Sequence, residues 1–214
     1  MDEKLNLEEL LEVMESEARK RNAPVFTLKG FLNDPFQHLI FAVLSSRTKD
    51  EVTVKAGKRL FKKAKNPEEL AKMDVGEIEK LIEGVGFYRV KAKNLKKLAE
   101  ILVSKYNSRI PLNLEELTKL PGVGRKTANI VLSASNIPTI AVDTHVHRIS
   151  NRLGLVKTKK PEETEEQLKK LFPKKLWNRV NQAFVGFGQT VCKPIKPLCN
   201  ECPIKWCPKI GVKT

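Results

Sequence analysis

No stretch of this chain is apolar for long. The most apolar run, Phe36–Leu44 (FQHLIFAVL), is far shorter than the roughly 20 residues of a membrane-spanning helix. Nothing in it resembles a secretory leader. A soluble, cytoplasmic protein that does not act in a membrane is therefore expected. Cysteine is missing from everything before Cys192, and all four cysteines fall between Cys192 and Cys207. A disulfide framework running through the fold is excluded on that ground. Period-2 alternation and Asn-Gly hairpin signals are missing too, which argues against a sheet. There is no low-complexity segment and no long linker.

Acidic residues are in deficit. Asp plus Glu number 25 against 40 Lys plus Arg, a formal net charge of +15. Such an excess draws polyanions by steering and counterion release. Nucleic acid leads as the partner, an anionic membrane surface comes second, and a merely lysine-rich solvated surface is the plain alternative. With 214 residues, 41% of them hydrophobic, the chain has ample material for a core.

The pattern that is present is helical. Leu5–Lys20 places apolar residues at helical spacing. Asp34-Pro35 reads as an N-cap followed by a first-turn proline, opening a buried helix over Phe36–Ser46. Asn66, Asp74 and Asn113 each precede a glutamate by three residues, as in a capping box. Phe87–Tyr106, Thr144–Leu153, Glu162–Phe172 and Lys174–Phe187 continue the series. Asp50 reads as the cap of the helix that follows it. The fold class is all-α, with about ten helices.

Two Gly-Val-Gly turns stand between helices, Gly84–Gly86 and Gly122–Gly124, 38 residues apart. The second lies in Leu120–Ala128, LPGVGRKTA. Glycines there permit a tight turn and a close approach to the backbone. The next helix begins at once, so its N–H groups and positive dipole end meet the same spot. That arrangement suits a phosphate, and Arg125 adds charge. Lys126 follows directly, either as a second phosphate ligand or as a nucleophile. Further on, Asp143 follows the apolar Ile140-Ala-Val142 and precedes a helix. It reads as an N-cap, and a carboxylate there could also take a proton or stabilise a cation. His145 and His147 receive no catalytic role.

The cysteines follow the pattern Cys192-x6-Cys199-x2-Cys202-x4-Cys207. Structural zinc usually draws on two close pairs. One Cys-x2-Cys with a lone cysteine on each side suits an iron–sulfur cubane in a compact loop. Zinc and a pair of disulfides stay open on spacing alone.

LPGVGRKTA, with Val142-Asp143-Thr-His145 downstream and the cysteine loop, resembles the endonuclease III family of helix-hairpin-helix DNA glycosylases. The likeness runs from about Asp34 to Cys207 and includes SSRTKD (45–50) and GVGFYRVKA (84–92). It implies two helical domains with a DNA-binding cleft between them: residues 28–137 with the helix-hairpin-helix, and residues 1–27 with 138–214 carrying the 4Fe–4S loop (192–207). It implies a monomeric base excision repair enzyme that removes oxidised pyrimidines from duplex DNA. Lys126 would attack the sugar C1′ and form a Schiff base, and the strand would then be cut 3′ to the abasic site by β-elimination. Asp143 would be the catalytic carboxylate. Cys192, Cys199, Cys202 and Cys207 would hold the cluster. Their last spacing is four residues, where the family is expected to have five. Gly122, Val123, Gly124, Arg125 and Thr127 would bind DNA, with Lys193 and Lys196 from the first inter-cysteine loop. The target base must leave the stack, and Arg47 and Phe87 sit in the loops expected to fill the gap. Arg47 stands where glutamine is expected. Two alternatives remain at this stage: a monofunctional glycosylase for mismatched adenine, uracil or thymine, and a non-enzymatic DNA-binding module.

Overall fold

The computed structural model describes residues 6–27, 32 and 34–212. Leu5, expected in the first helix, and residue 28, expected at a domain boundary, lie outside the described residues. Every regular element among the described residues is helical. In chain order the α-helices are α1 Leu7–Lys20, α2 Pro24–Thr27, α3 Pro35–Ser45, α4 Asp50–Lys63, α5 Pro67–Lys72, α6 Val75–Leu81 and α7 Tyr88–Tyr106. They continue with α8 Leu114–Thr118, α9 Arg125–Ala134, α10 Thr144–Arg152, α11 Pro161–Leu171 and α12 Trp177–Thr190. Short 3₁₀ turns cover Lys174–Leu176 and Cys199–Glu201. None of these helices is long and apolar enough to cross a membrane.

Local chemistry sets the helix starts. Asn6 accepts from the N–H groups of Glu8 and Glu9 while Glu9 accepts from the N–H of Asn6, a reciprocal cap. Asp34 accepts from Gln37 N at 2.9 Å ahead of the first-turn Pro35. Asn66 and Asn113 cap α5 and α8 in the same way. Asp50 is not the cap of α4. Lys49 occupies that position, and Asp50 is the first helical residue, where its charge faces the positive end of the helix dipole.

The chain divides into two compact units, one of Met1–Lys29 with Pro138–Thr214 and one of Gly30–Ile137. In the central unit α3 is the hub. It packs against α4, α7 and α9, while α5 and α6 lie on α7 and α8 lies on α9. Leu39, Ile40 and Leu44 of α3 meet Leu60, Ile78, Leu95, Leu98 and Val131 in one core. A helix as apolar as α3, with Gln37, His38 and Ser45 its only polar residues, belongs in such a place. In the other unit α12 is the hub, packed by α1, α2 and α10. Its core joins Leu10, Leu11 and Met14 to Ile149, Phe184 and Phe187, and the cysteine segment packs on the edge of this core.

Gly186 shows how tightly α12 is held. A Cβ there would lie 2.6 Å from Phe26 Cε2 and 2.9 Å from Ala18 Cβ. Alanine favours a helix interior over glycine by about 1 kcal/mol, but overpacking opposes it. Gly186→Ala is expected to destabilise the protein by about 1–3 kcal/mol, read as a lower urea midpoint at unchanged slope. An unchanged or higher midpoint would show that α1 and α2 yield freely.

Candidate functional site

The Leu120–Gly124 turn is built around one buried side chain. Val123 is sunk in the core of its unit, as is Leu120. Its N–H donates to Leu120 O at 3.1 Å. With the middle residue anchored inward, the flanking glycines turn their backbone outward. Gly122 has φ +79°, and a Cβ on it would meet the Asn94 side chain at 3.2 Å. Gly124 is the cap of α9, with open space around it. Arg125 and Lys126, the first two residues of α9, are exposed. Thr127 differs from expectation, because its side chain is buried in the same unit. Only its backbone can face a ligand at this helix start.

The two loops expected to fill a gap in a base stack come together in this unit. The Arg47 guanidinium stands over the Phe87 ring, 5.6 Å from its centroid, within cation–π range. Phe87 is 63% exposed, so it is not a core residue. Both tips are strained, with φ +52° at Arg47 and +58° at Phe87. Gly86 makes the join possible, since a Cβ on it would lie 2.4 Å from Arg47 O. Beneath the tips lies Lys91, a buried lysine that sequence reasoning missed. Its Nζ donates to Leu44 O at 2.8 Å, to Ser46 O and to Thr48 Oγ1 at 3.2 Å. Burial pushes its ammonium down to about 8.

In the other unit, Asp143 caps α10. Its Oδ1 accepts from His145 N at 2.8 Å and Val146 N at 2.9 Å. The segment before it is pinned from α12, with Asn178 Oδ1 accepting from Thr139 N and Asn181 Nδ2 donating to Ala141 O. Asp143 is therefore held at both its backbone and its carboxylate. The histidines are tied into the scaffold. His147 Nδ1 lies 2.6 Å from Thr164 Oγ1, and His145 Nδ1 lies 3.2 Å from Arg148 Nη2.

No disulfide joins the cysteines, each of which is half-buried. All four line one cavity, walled by apolar residues including Ile149, Phe187, Val191 and Leu198. Arg152, a second buried cation missed from sequence, organises the segment. It donates from Nη1 to Lys193 O at 2.7 Å and from Nη2 to Pro194 O at 2.9 Å, with Cys192 Sγ at 3.5 Å from Nη1. Arg148 Nη2 donates to Cys192 O at 2.9 Å. Lys193 and Lys196 are exposed on the loop so held, on either side of Ile195.

Comparison with known proteins places these features in company. Residues 40–174 match the family described as HhH-GPD superfamily base excision DNA repair protein. Endonuclease III of Thermotoga maritima is 57% identical over 173 residues, which is 80% of this chain and 81% of that protein. A trapped endonuclease III–DNA covalent intermediate superposes with TM-score 0.82 at 37% identity, over 96% of this chain and 97% of the other. A non-covalent endonuclease III–DNA complex gives TM-score 0.85 at 38% identity, over 98% and 97%.

Arg152 provides a test of the cysteine loop. Arg152→Met removes its two carbonyl contacts and leaves an aliphatic stem of similar reach. Cleavage within residues 193–198 by the non-specific proteinase K is expected to quicken roughly tenfold, by local opening. Cleavage at the wild-type rate would show that the loop is held by other means.

Proposed function

The chain belongs to the HhH-GPD superfamily of base excision DNA repair proteins, and within it to the endonuclease III family; on that premise we propose that Lys126 is the nucleophile of its reaction and Asp143 the partner carboxylate. The protein is a base excision repair glycosylase and lyase. Its substrate in this reading is an oxidised pyrimidine in duplex DNA, and it acts as a monomer.

One observation carries the assignment. The buried Val123 turns the hairpin backbone outward and leaves Lys126 exposed at the start of α9. A phosphate docked on the Gly122–Gly124 backbone and Arg125 would bring the sugar of a neighbouring nucleotide to the amine. The Nζ lone pair forms a bond to C1′ as the C1′–N bond to the base breaks, and the departing base takes a proton from solvent. An amine proton then passes to O4′ as the C1′–O4′ bond breaks and the ring opens to the iminium. The iminium acidifies C2′–H. Loss of that proton expels the 3′ phosphate, and water later releases the lysine. Asp143, held by its cap, supplies negative charge against the developing cation and a place for a proton. Capping through Oδ1 fixes the orientation of that carboxylate.

The four cysteines fit a 4Fe–4S cluster. They line one cavity walled by apolar residues. One Cys-x2-Cys with a lone cysteine on each side is a spacing that suits such a cluster. Such a cluster would supply a covalent tie closing residues 192–207. This chain's own part is to hold Lys193 and Lys196 outward through Arg152, as phosphate contacts.

Two outcomes are expected. Lys126→Gln is expected to lower strand cleavage of a thymine glycol duplex by more than about a thousandfold, with duplex affinity within a few-fold of wild type at fixed salt. Cleavage near the wild-type rate would remove Lys126 from the chemistry. Elemental and sulfide analysis of the purified protein is expected to give iron and acid-labile sulfide in equal amounts. Zinc without sulfide would overturn the cluster assignment.

A further inference from the structure

The two Gly-Val-Gly turns share a backbone and differ in use. In each, the first glycine has a positive φ, +91° at Gly84 and +79° at Gly122. In each, the middle valine is buried. The valine N–H donates at 3.1 Å to the carbonyl three residues back, Ile82 O in one and Leu120 O in the other. They diverge at the last glycine. Gly124 is the helix cap, with open space around it. Gly86 gives its N–H to Thr48 Oγ1 at 3.1 Å. One more residue, Phe87, then stands in the left-handed region before α7 begins. The first turn has its N–H engaged from within the protein and carries an exposed ring in place of an open helix end.

Thr48 is engaged from the other side as well, because its Oγ1 also meets Lys91 Nζ at 3.2 Å. Lys91 closes the end of α3 by donating to Leu44 O and Ser46 O. An ammonium has three donors, and here three acceptors take them. The bonds span both sides of the Arg47 tip, at Ser46 and at Thr48. The side chain comes from the first turn of the helix that carries the Phe87 tip.

We propose that Lys91 is a positioning residue, which with Thr48 and Gly86 locks the Arg47 and Phe87 tips into one rigid wedge that enters duplex DNA as a unit. The proposal rests on the reading above, in which Arg47 and Phe87 fill the space left by an extruded base. Lys91 touches no reacting atom in this role. It holds two strained, exposed tips in the conformation that duplex entry requires. Without it Arg47 and Phe87 keep their chemistry and lose their common orientation, so the effect should appear only where a paired strand must be opened.

Two substrates separate that effect from general damage. One is a thymine glycol duplex, in which a base must leave the stack. The other is a single-stranded oligonucleotide carrying an abasic site, which has no opposite strand and no gap to fill. For Lys91→Met, single-turnover base excision from the duplex at saturating protein is expected to fall at least tenfold. Lyase cleavage of the single strand should stay within twofold of wild type. Thr48→Val removes only the shared hydroxyl, and it should give the same split with a smaller loss, about threefold on the duplex. 2-Aminopurine placed opposite the lesion reports the wedge directly, and its fluorescence change on binding should shrink in both variants. Duplex excision within twofold of wild type in both variants would overturn the proposal. So would equal losses on the two substrates in Thr48→Val, the variant least able to disturb the fold. Inactivity of the wild-type protein on both substrates would strike at the proposed function instead, a result distinct from either.

Discussion

A single valine fixes what the hairpin offers to the outside. Val123 is buried between two glycines, and a turn with its only side chain inside must present its backbone. Two consequences follow from that anchor. The helix start of α9 is exposed with its dipole end outward, and the next two side chains, Arg125 and Lys126, are carried out beside it. An anion site and an amine are thereby placed side by side, which is what a lysine must have if it is to find a sugar carbon next to a phosphate. The burial of Thr127 belongs to the same geometry: once the helix start points outward, its third residue points back to the core.

The functional loops elsewhere are held by buried cations bonded to backbone carbonyls. Lys91 ties Leu44 and Ser46, and Arg152 ties Lys193 and Pro194. A buried charge is retained only when its donors are met, and carbonyls at helix ends and in loops have acceptor capacity to give. Each cation thus stabilises a loop whose own tip is exposed, Arg47 in one unit and Lys193 with Lys196 in the other. The +15 charge of the chain is accordingly of two kinds. Most is at the surface, where it draws a polyanion, and a small part is internal and structural.

What could be read from sequence was what neighbouring residues encode together. Asp34, Asn66 and Asn113 announce their helices because the cap and the N–H it binds lie within three residues. The hairpin, its lysine and the spacing of the cysteines are contiguous strings for the same reason. Asp143 was legible as a cap, and its two bonds to His145 and Val146 bear that reading out. Lys91 and Arg152 were not legible, since their partners lie 41 to 47 residues away. The meeting of Arg47 with Phe87 was hidden likewise, because it depends on how Gly86 packs against the Arg47 carbonyl. At α4 the local rule misled by one residue: Asp50 has the chemistry of a cap, but the chain enters the helix at Lys49.

The central claim is that one amine beside the hairpin does the chemistry, and borohydride trapping followed by peptide mapping addresses it directly. The protein is incubated with a thymine glycol duplex, reduced and digested, and the DNA-linked peptide is sequenced by mass spectrometry. The account predicts a single cross-linked peptide carrying the modification at Lys126. A cross-link at any other lysine, or no adduct from a duplex whose base has been released, would contradict it.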